Sequence, residues 1–220
     1  HSTTATGTPT QVASPTMGPA LVFDGDDNLV INTTAALELA GNSSITVEAW
    51  TEPDWVALQT APRVGNGQMD WAVPVGKDGY DTGYRLLVAR GDREDEWVFQ
   101  LPLSGMTREN AVTRSPLSQS SGRLYLAGTY DGSRIETYLD GELKAWVSRN
   151  LEELLPSDRD DLVIGGSHAG VDDWSSYGWV GRIDEVRVSA VARSAEWIRT
   201  QHRNTSDPTG FYDLSLQLRP

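Results

Sequence analysis

The alternation of apolar and polar residues predicts short β-strands along most of this chain. Within residues 44–52, every second position from Ile45 to Ala49 is apolar, and Glu48 lies on the opposite face, as in a strand with one buried side. Further apolar or alternating runs, bounded by glycine-rich or charged stretches, predict more strands. They lie at residues 20–23, 28–32, 71–75, 84–89, 97–101, 123–130, 134–139, 142–147, 161–165 and 180–189.

Asp131-Gly132 and Asp140-Gly141 mark two turns in the second half of the chain. They separate three successive alternating runs within residues 123–147. Because Asp-Gly favours the tight turns that join antiparallel strands, these runs are predicted to form a meander.

One helix is predicted near the end of the chain. Ser194 is a suitable N-cap, and Trp197, Ile198 and Gln201 then share a packing face. Many short strands with glycine- or aspartate-containing turns, followed by one late helix, predict an all-β fold, an antiparallel β-sandwich with a short C-terminal helix.

The domain organisation follows from composition along the chain. Residues 1–19 are rich in Ser, Thr, Gly and Pro and are predicted to be flexible. Residues 20–206 are predicted to form the sandwich, and residues 207–220 a C-terminal extension, in which 211–218 is either a closing strand or a tail.

The overall charge narrows the range of partners. A net charge of −13 over 220 residues argues against nucleic acid and anionic membranes as partners. No apolar run approaches the roughly 20 residues that span a bilayer, so no membrane insertion is expected. There is no cysteine, so the fold is expected to hold without disulfides. The acidic surface suits an extracellular milieu and divalent cations.

Asp184 stands out within the predicted strand at residues 181–188. Val186 and Val188 mark one face of this strand as buried, and strict alternation places Asp184 on the same face. A buried carboxylate needs a cation or backbone N–H groups as partners. Two interpretations therefore stay open: a hydrogen-bonded structural aspartate near a strand end, or a ligand of a structural Ca²⁺.

Six short motifs follow one another in a characteristic order. They are Ala-Leu-Val-Phe-Asp-Gly at 20–25, Ser-Ile-Thr-Val-Glu-Ala-Trp at 44–50, Ala-Gly-Thr-Tyr-Asp-Gly at 127–132, Tyr-Leu-Asp-Gly at 138–141, Val-Ile-Gly-Gly at 163–166, and the run at 181–188. This succession resembles the laminin-G-like (concanavalin A-like) jelly-roll domains of secreted and cell-surface proteins. The resemblance implies two curved antiparallel sheets, an extracellular or cell-surface location, and a place within a larger multidomain protein.

The resemblance also implies a structural Ca²⁺ where the first and last core strands meet. By position, its ligands would be the Asp184 side chain, Asp24 or the Gly25 carbonyl, and Asn42 or Ser43. Carboxylates and backbone carbonyls are the oxygen ligands that Ca²⁺ prefers. For Asp24, an ordinary role in the turn is the alternative.

The aromatic residues suggest a binding role. Eight Trp and seven Tyr against three Phe is a set that favours stacking on sugar rings with a polar group at hand. Trp50, Trp179 and Trp197 lie at patterned positions and are interpreted as packing residues. The predicted ligand-binding residues lie in polar segments instead: Trp55, Tyr80, Asp172, Asp173, Trp174 and Tyr177. For each of them, packing against the sheet edge is the alternative.

Catalysis finds little support in the residue pattern. Retaining glycosidases of this fold need two carboxylates about 5 Å apart on one strand, and no Glu-x-Asp-x-x-Glu strand occurs here. The acidic run at residues 93–96 is interpreted as a solvated hairpin tip. Convergence of Glu48, Glu94 and Glu96 in a cleft would restore the possibility.

Three hypotheses of function result. The first is a non-catalytic binding or adhesion module that recognises a glycan or a surface protein and holds a structural Ca²⁺. The second is a structural spacer domain of the same fold. The third is a polysaccharide-active enzyme, either a glycoside hydrolase or a lyase.

Overall fold

The computed structural model describes residues 3–14, 18–39, 44–60, 70–78, 83–90, 95–101, 112–117, 122–148, 161–166 and 177–207. These residues form fourteen strands and three helices. In chain order the elements are β1 (Thr3–Thr6), β2 (Thr10–Ser14), β3 (Gly18–Asp24), β4 (Asn28–Ile31), α1 (Ala35–Glu38), β5 (Ile45–Pro53), α2 (Trp55–Thr60), β6 (Asp70–Asp78), β7 (Gly83–Arg90), β8 (Asp95–Gln100), β9 (Val112–Leu117), β10 (Leu124–Tyr130), β11 (Arg134–Leu139), β12 (Glu142–Ser148), β13 (Leu162–Ile164), β14 (Val180–Ser189) and α3 (Ala195–Ser206).

The strands form two antiparallel sheets that pack face to face, which confirms the predicted sandwich. The first sheet has the order β1-β4-β13-β6-β7-β8-β9, and the second has the order β12-β11-β10-β5-β14-β3-β2. The predicted meander is β10-β11-β12 in the second sheet.

The main core lies between the two sheets, as the alternation predicts. Ile45, Val47 and Ala49 of β5 face it and are fully buried. Leu86 and Val88 of β7 meet them from the first sheet. Burial of such side chains is the dominant favourable contribution to folding a sandwich.

The N-terminal segment contains two strands that its composition does not predict. β1 pairs with β4 in the first sheet, and β2 pairs with β3 in the second. The sequence pattern predicts no strand within residues 1–14, so it misses both of these strands. Ser- and Thr-rich sequences can supply edge strands because the neighbouring strand provides the hydrogen-bond partners.

Three further elements have weak sequence signals. β9 lies at the edge of the first sheet and contains Pro116, which is tolerated only where its missing N–H is not needed. α1 and α2 are only 4 and 6 residues long, too short to show a helical period.

A bulge in β14 reverses the expected orientation of Asp184. The register with β5 shifts between Asp184 and Arg187, and Glu185 has a positive φ of 52°. The extra residue lets Ile183, on one side of the bulge, and Val186, on the other, both face the core. Asp184 lies opposite Trp50 on the outer face instead. The prediction that Asp184 points into the core is therefore wrong.

α3 packs on the outer face of the second sheet and confirms the predicted helix. The Ser194 side chain accepts a hydrogen bond from the Trp197 N–H, as expected of an N-cap. Ile198 is buried in a second apolar cluster with Trp50 and Tyr125. Within the described ranges, no helix combines the length and the hydropathy needed to cross a bilayer.

Candidate functional site

The outer face of the first sheet carries a buried apolar floor. Four side chains from its central strands form it: Val73, Leu87, Ala89 and Val98. In β7, the residues that alternate with Leu87 and Ala89 face the core, so this strand is covered on both faces. Strands of this kind read as continuous apolar runs in the sequence.

Arg85 and Gln100 lie on the same outer face. They are opposite each other in the β7–β8 register, and both are buried. The Arg85 Nε donates a hydrogen bond to the Gln100 Oε1 over 2.5 Å. The Arg85 guanidinium carbon also lies 4.6 Å from the centre of the Trp71 ring, within the range of a cation–π interaction. The result is a fixed guanidinium and a fixed amide beside an aromatic ring.

Trp71 and Tyr177 form an aromatic rim over this floor. Their ring centres are 6.0 Å apart, with an angle of 38° between the ring planes. Both side chains are only partly buried, in contrast to the floor beneath them. An aromatic surface that reaches solvent, next to planar polar groups, suits stacking on a sugar ring.

The predicted ligand-binding residues have different outcomes. Tyr177 lies in the aromatic rim. Trp55 begins α2 and packs partly against the core between the sheets, and Asp54 caps this helix by accepting a hydrogen bond from the Ala57 N–H over 3.0 Å. The remaining candidates lie outside the described residues: Tyr80, Asp172, Asp173 and Trp174.

Sequence reasoning misses Arg85, Gln100 and Trp71 as site residues. For Arg85 and Gln100 the signal is a polar residue at an outward position of an otherwise apolar strand. Arg85 precedes the apolar run of β7, and Gln100 ends that of β8. Alternation identifies the face of each residue, but only the sheet order shows that the faces adjoin.

Asp24 and Asp184, two of the predicted calcium ligands, lie too far apart along the strands to hold one ion together. Asp24 pairs with Val180 in the β3–β14 register, so it lies four positions along the ladder from Asp184. At about 3.3 Å per residue, the two are about 13 Å apart along the strands, whereas Ca²⁺ ligands lie within about 2.6 Å of the ion.

The local contacts of these residues separate them further. Asp184 accepts a hydrogen bond from the Glu185 N–H over 2.8 Å, which fits a structural aspartate at a bulge. Asp24 accepts one from the Asp26 N–H over 3.1 Å, as in a turn, and Gly25 has a positive φ of 103°. Asn42 lies outside the described residues. Over the described ranges, no group of three His, Cys, Asp or Glu side chains is arranged to hold a metal ion.

Glu48 and Glu96 do not converge in a common cleft. Glu48 lies on the outer face of the second sheet, where its Oε2 accepts a hydrogen bond from the Tyr125 hydroxyl over 2.6 Å. Burial raises the pKa of Glu48, while Tyr125 and Arg187 oppose the rise. Glu96 pairs with Ala89 and therefore lies on the outer face of the first sheet. The two carboxylates thus face away from each other across the sandwich, and Glu94 lies outside the described residues.

The family of this chain is shown by comparison with known proteins. The model of a laminin-G family described as the concanavalin A-like lectin/glucanases superfamily matches residues 23–199. The match covers most of the chain, so the protein belongs to this superfamily, and the resemblance seen in the sequence is confirmed. None of the curated proteins matches the sequence significantly.

Solved structures show the same fold at low sequence identity. Domain 4 of AbnA, a GH43 extracellular arabinanase from Geobacillus stearothermophilus, in complex with arabinotriose, has a TM-score of 0.57 and 14% identity, covering 90% of this chain and 86% of that one. The binding domain of botulinum neurotoxin DC, in complex with SialylT, has a TM-score of 0.61 and 10% identity, covering 93% of this chain and 46% of that one. The receptor binding domain of a botulinum neurotoxin C/D mosaic serotype has a TM-score of 0.60 and 13% identity, covering 92% and 46%. This chain therefore spans just under half the length of the toxin domains.

Proposed function

We propose that this domain is a non-catalytic carbohydrate-binding module of a secreted or surface protein. The observation that carries the proposal is the aromatic rim of Trp71 and Tyr177 beside the Arg85–Gln100 pair. A sugar ring offers C–H groups to an aromatic face and hydroxyl groups to planar donors and acceptors. The rim supplies the aromatic face, and the buried Arg85–Gln100 pair holds the Trp71 ring in place from beneath.

Two further observations support a binding module over an enzyme. Glu48 and Glu96 lie on opposite outer faces, so they cannot serve as the paired carboxylates of a glycosidase. The domain of the arabinanase was solved with arabinotriose, and it has the same fold as this chain. An extracellular location and a larger multidomain parent are parts of the same proposal.

We propose a structural Ca²⁺ with fewer of the ligands that the sequence predicts. Asp184 is excluded from a site shared with Asp24 by the strand register. The turn at Asp24 and Gly25 is the remaining position for a structural ion, with oxygen atoms of the type that Ca²⁺ prefers. An ion there would stabilise the native state by mass action and would have no part in the chemistry of binding.

The experiment is a glycan and polysaccharide screen, run with calcium and with chelator on the same protein. We expect binding of a neutral oligosaccharide, weakened at least about tenfold by Tyr177→Ala and largely retained by Tyr177→Phe, because the phenyl ring preserves stacking. Trp55→Ala is the matched control, since this aromatic side chain packs against the core. It should lower stability and leave the affinity unchanged.

Several outcomes would decide between the hypotheses. Binding that Tyr177→Ala leaves intact would move the site away from the aromatic rim. A folded protein that binds no glycan would support a spacer or a protein-adhesion domain instead. A melting temperature that is the same with calcium and with chelator would remove the metal from the proposal.

A further inference from the structure

The second sheet has an open area on its outer face, beside the helix that covers the rest. α3 covers Trp50, Tyr125, Ala127 and Tyr138, which form an apolar cluster with Ile198. Beyond the helix, the edge strand β12 presents Trp146, whose side chain is 56% exposed. Exposing an indole ring to this extent forgoes the favourable burial of a large apolar surface.

Trp146 is held in place by a chain of side chains across three strands. The Arg134 guanidinium carbon lies 4.3 Å from the centre of the Trp146 ring. The Arg134 Nε is 3.0 Å from the Glu136 Oε1. The Tyr138 hydroxyl donates a hydrogen bond to the Glu136 Oε2, and Thr129 donates a weaker one over 3.5 Å. The indole and the carboxylate are therefore pre-positioned, which reduces the entropy lost on binding.

The strand register aligns these groups in a row. Trp146 lies opposite Glu136, and Glu136 lies opposite Thr129. Neighbouring strands are about 4.8 Å apart, so the row is about 10 Å long, close to the length of one or two sugar rings. It offers an aromatic face, then a carboxylate acceptor, then a hydroxyl.

The edge of β12 is unsuited to pairing with a strand from another protein. The register with β11 shifts so that Lys144 is an extra residue in β12, and its Nζ lies 2.7 Å from the Glu142 Oε2. A bulge and exposed charges on an edge strand oppose strand addition. This face therefore suits a small polar ligand on the indole better than an added strand.

We propose that Trp146, Arg134 and Glu136 form a second carbohydrate-binding site, on the sheet opposite the aromatic rim. A neutral sugar ring stacks on the open face of the indole, and its hydroxyl groups donate to Glu136 and accept from Arg134. The opposite charges of Arg134 and Glu136 balance, which favours an uncharged ligand. This site is independent of the Trp71–Tyr177 rim, so either one can fail without the other.

The test uses the indole N–H signals of the protein in solution, with Trp146→Phe to identify the signal of Trp146. The probes are neutral trisaccharides of glucose, galactose, xylose and arabinose, each titrated separately. We expect at least one to give a saturable shift of the Trp146 signal that Tyr177→Ala does not abolish. Glu136→Gln should weaken this binding at least about tenfold, since the carboxylate is the strongest acceptor in the row.

Lys144→Ala is the matched control, because Lys144 is exposed on the same strand but outside the row. It should leave the titration unchanged. Two outcomes overturn the proposal. In the first, no trisaccharide shifts the signal, but raising the protein concentration does, which would make this face a contact between copies of the chain. In the second, neither treatment shifts it, which would leave Trp146 with only its intramolecular contacts.

Discussion

Glu48 places a carboxylate on the outer face of the second sheet, where only 1% of its side chain is exposed. Two neighbouring side chains stabilise this buried carboxylate. The Tyr125 hydroxyl donates to one carboxylate oxygen over 2.6 Å, and the Arg187 guanidinium lies 3.4 Å from the other. The same arrangement raises the pKa of Tyr125, through burial and through the adjacent carboxylate. The sequence singles out Glu48 as an unusual strand carboxylate, and the structure gives it a structural role as the shared partner of Tyr125 and Arg187.

Tyr125→Phe tests this role. The variant leaves a buried carboxylate oxygen without its donor, so the free energy of unfolding should fall by about 1.5–3 kcal/mol at neutral pH, as for other hydrogen bonds to charged groups. Because burial already raises the pKa of Glu48 in the folded state, the folded state binds the proton more tightly than the unfolded one. Stability from this group is therefore present at acidic pH and is lost as pH rises through the folded pKa. Because the Tyr125 hydrogen bond lowers the pKa of Glu48, its removal raises that pKa further, and the variant should lose more stability and keep losing it to higher pH.

Chemical denaturation at a series of pH values measures the effect. Tyr84→Phe is the control, since the Tyr84 hydroxyl donates over 3.5 Å to the uncharged carbonyl of Leu37. It should cost about 0.5–1.5 kcal/mol, with no added dependence on pH. Equal losses for the two variants would show that the carboxylate is satisfied by Arg187 alone.

At the scale of elements, α3 is the helix whose start follows from local sequence. Ser194 caps its first turn, with 3.3 Å between the Trp197 N and the Ser194 Oγ. At the other end, the Trp50 Nε1 donates to the Thr205 hydroxyl over 2.8 Å. The helix is therefore fixed by its own sequence at the first turn and by the second sheet at the last.

Ser194→Ala should lower the free energy of unfolding by about 1 kcal/mol, because the first turn loses a side-chain acceptor for its N–H groups. Thermal or chemical unfolding measures the change. Ser206→Ala is the matched control, since Ser206 is exposed at the other end of the helix and its hydroxyl donates only a long bond, over 3.4 Å, to the Arg203 carbonyl. It should change stability by no more than about 0.5 kcal/mol. A control that costs as much as Ser194→Ala would show that the loss is not specific to the cap.

Local sequence patterns predict where most strands lie, but they do not always predict which face of the sheet a residue occupies. Alternation predicts the strands of the meander, and an N-cap followed by a shared packing face predicts α3, because these signals lie within a few residues. It places Asp184 on the wrong face because one extra residue in β14 reverses every position beyond it. It misses β1, β2 and β9 because edge strands are specified by their partners more than by their own apolar pattern.

At the scale of the whole molecule, the candidate site is formed by residues that are far apart in the sequence. The sequence predicts Tyr177 as a ligand residue, but its partner Trp71 lies more than a hundred positions away, and only the assembled sheet brings the rings to 6.0 Å. The Arg85–Gln100 pair depends likewise on the β7–β8 register. Residue types can be predicted from the sequence, whereas their grouping depends on sheet order.

The two sheets also fit together through contacts that no local pattern reveals. Gly128 of β10 lies beneath the Phe99 ring of β8, and a Cβ at position 128 would overlap that ring. The Phe23 ring packs against Gly165 in the same way, and a Cβ at position 165 would overlap that ring. Gly165 also has a positive φ of 87°. Gly128 within a strand of the second sheet, and Gly165 just after β13 of the first, each make room for a phenylalanine of the opposite sheet, which sets how closely the sheets approach.

Gly128→Ala tests whether this fit limits stability. Since Gly128 has no unusual backbone angle and its neighbours are buried, the cost should come from overpacking alone, about 1–3 kcal/mol in the free energy of unfolding. Gly122→Ala is the matched control, because nothing lies within 4 Å of a Cβ there, and it should change stability by no more than about 0.5 kcal/mol. Adding Phe99→Leu to Gly128→Ala should cost less than the sum of the two single changes, because the smaller side chain relieves the overlap. Strictly additive losses in urea denaturation would mean that the sheets adjust elsewhere and that the Gly128–Phe99 contact does not set their spacing.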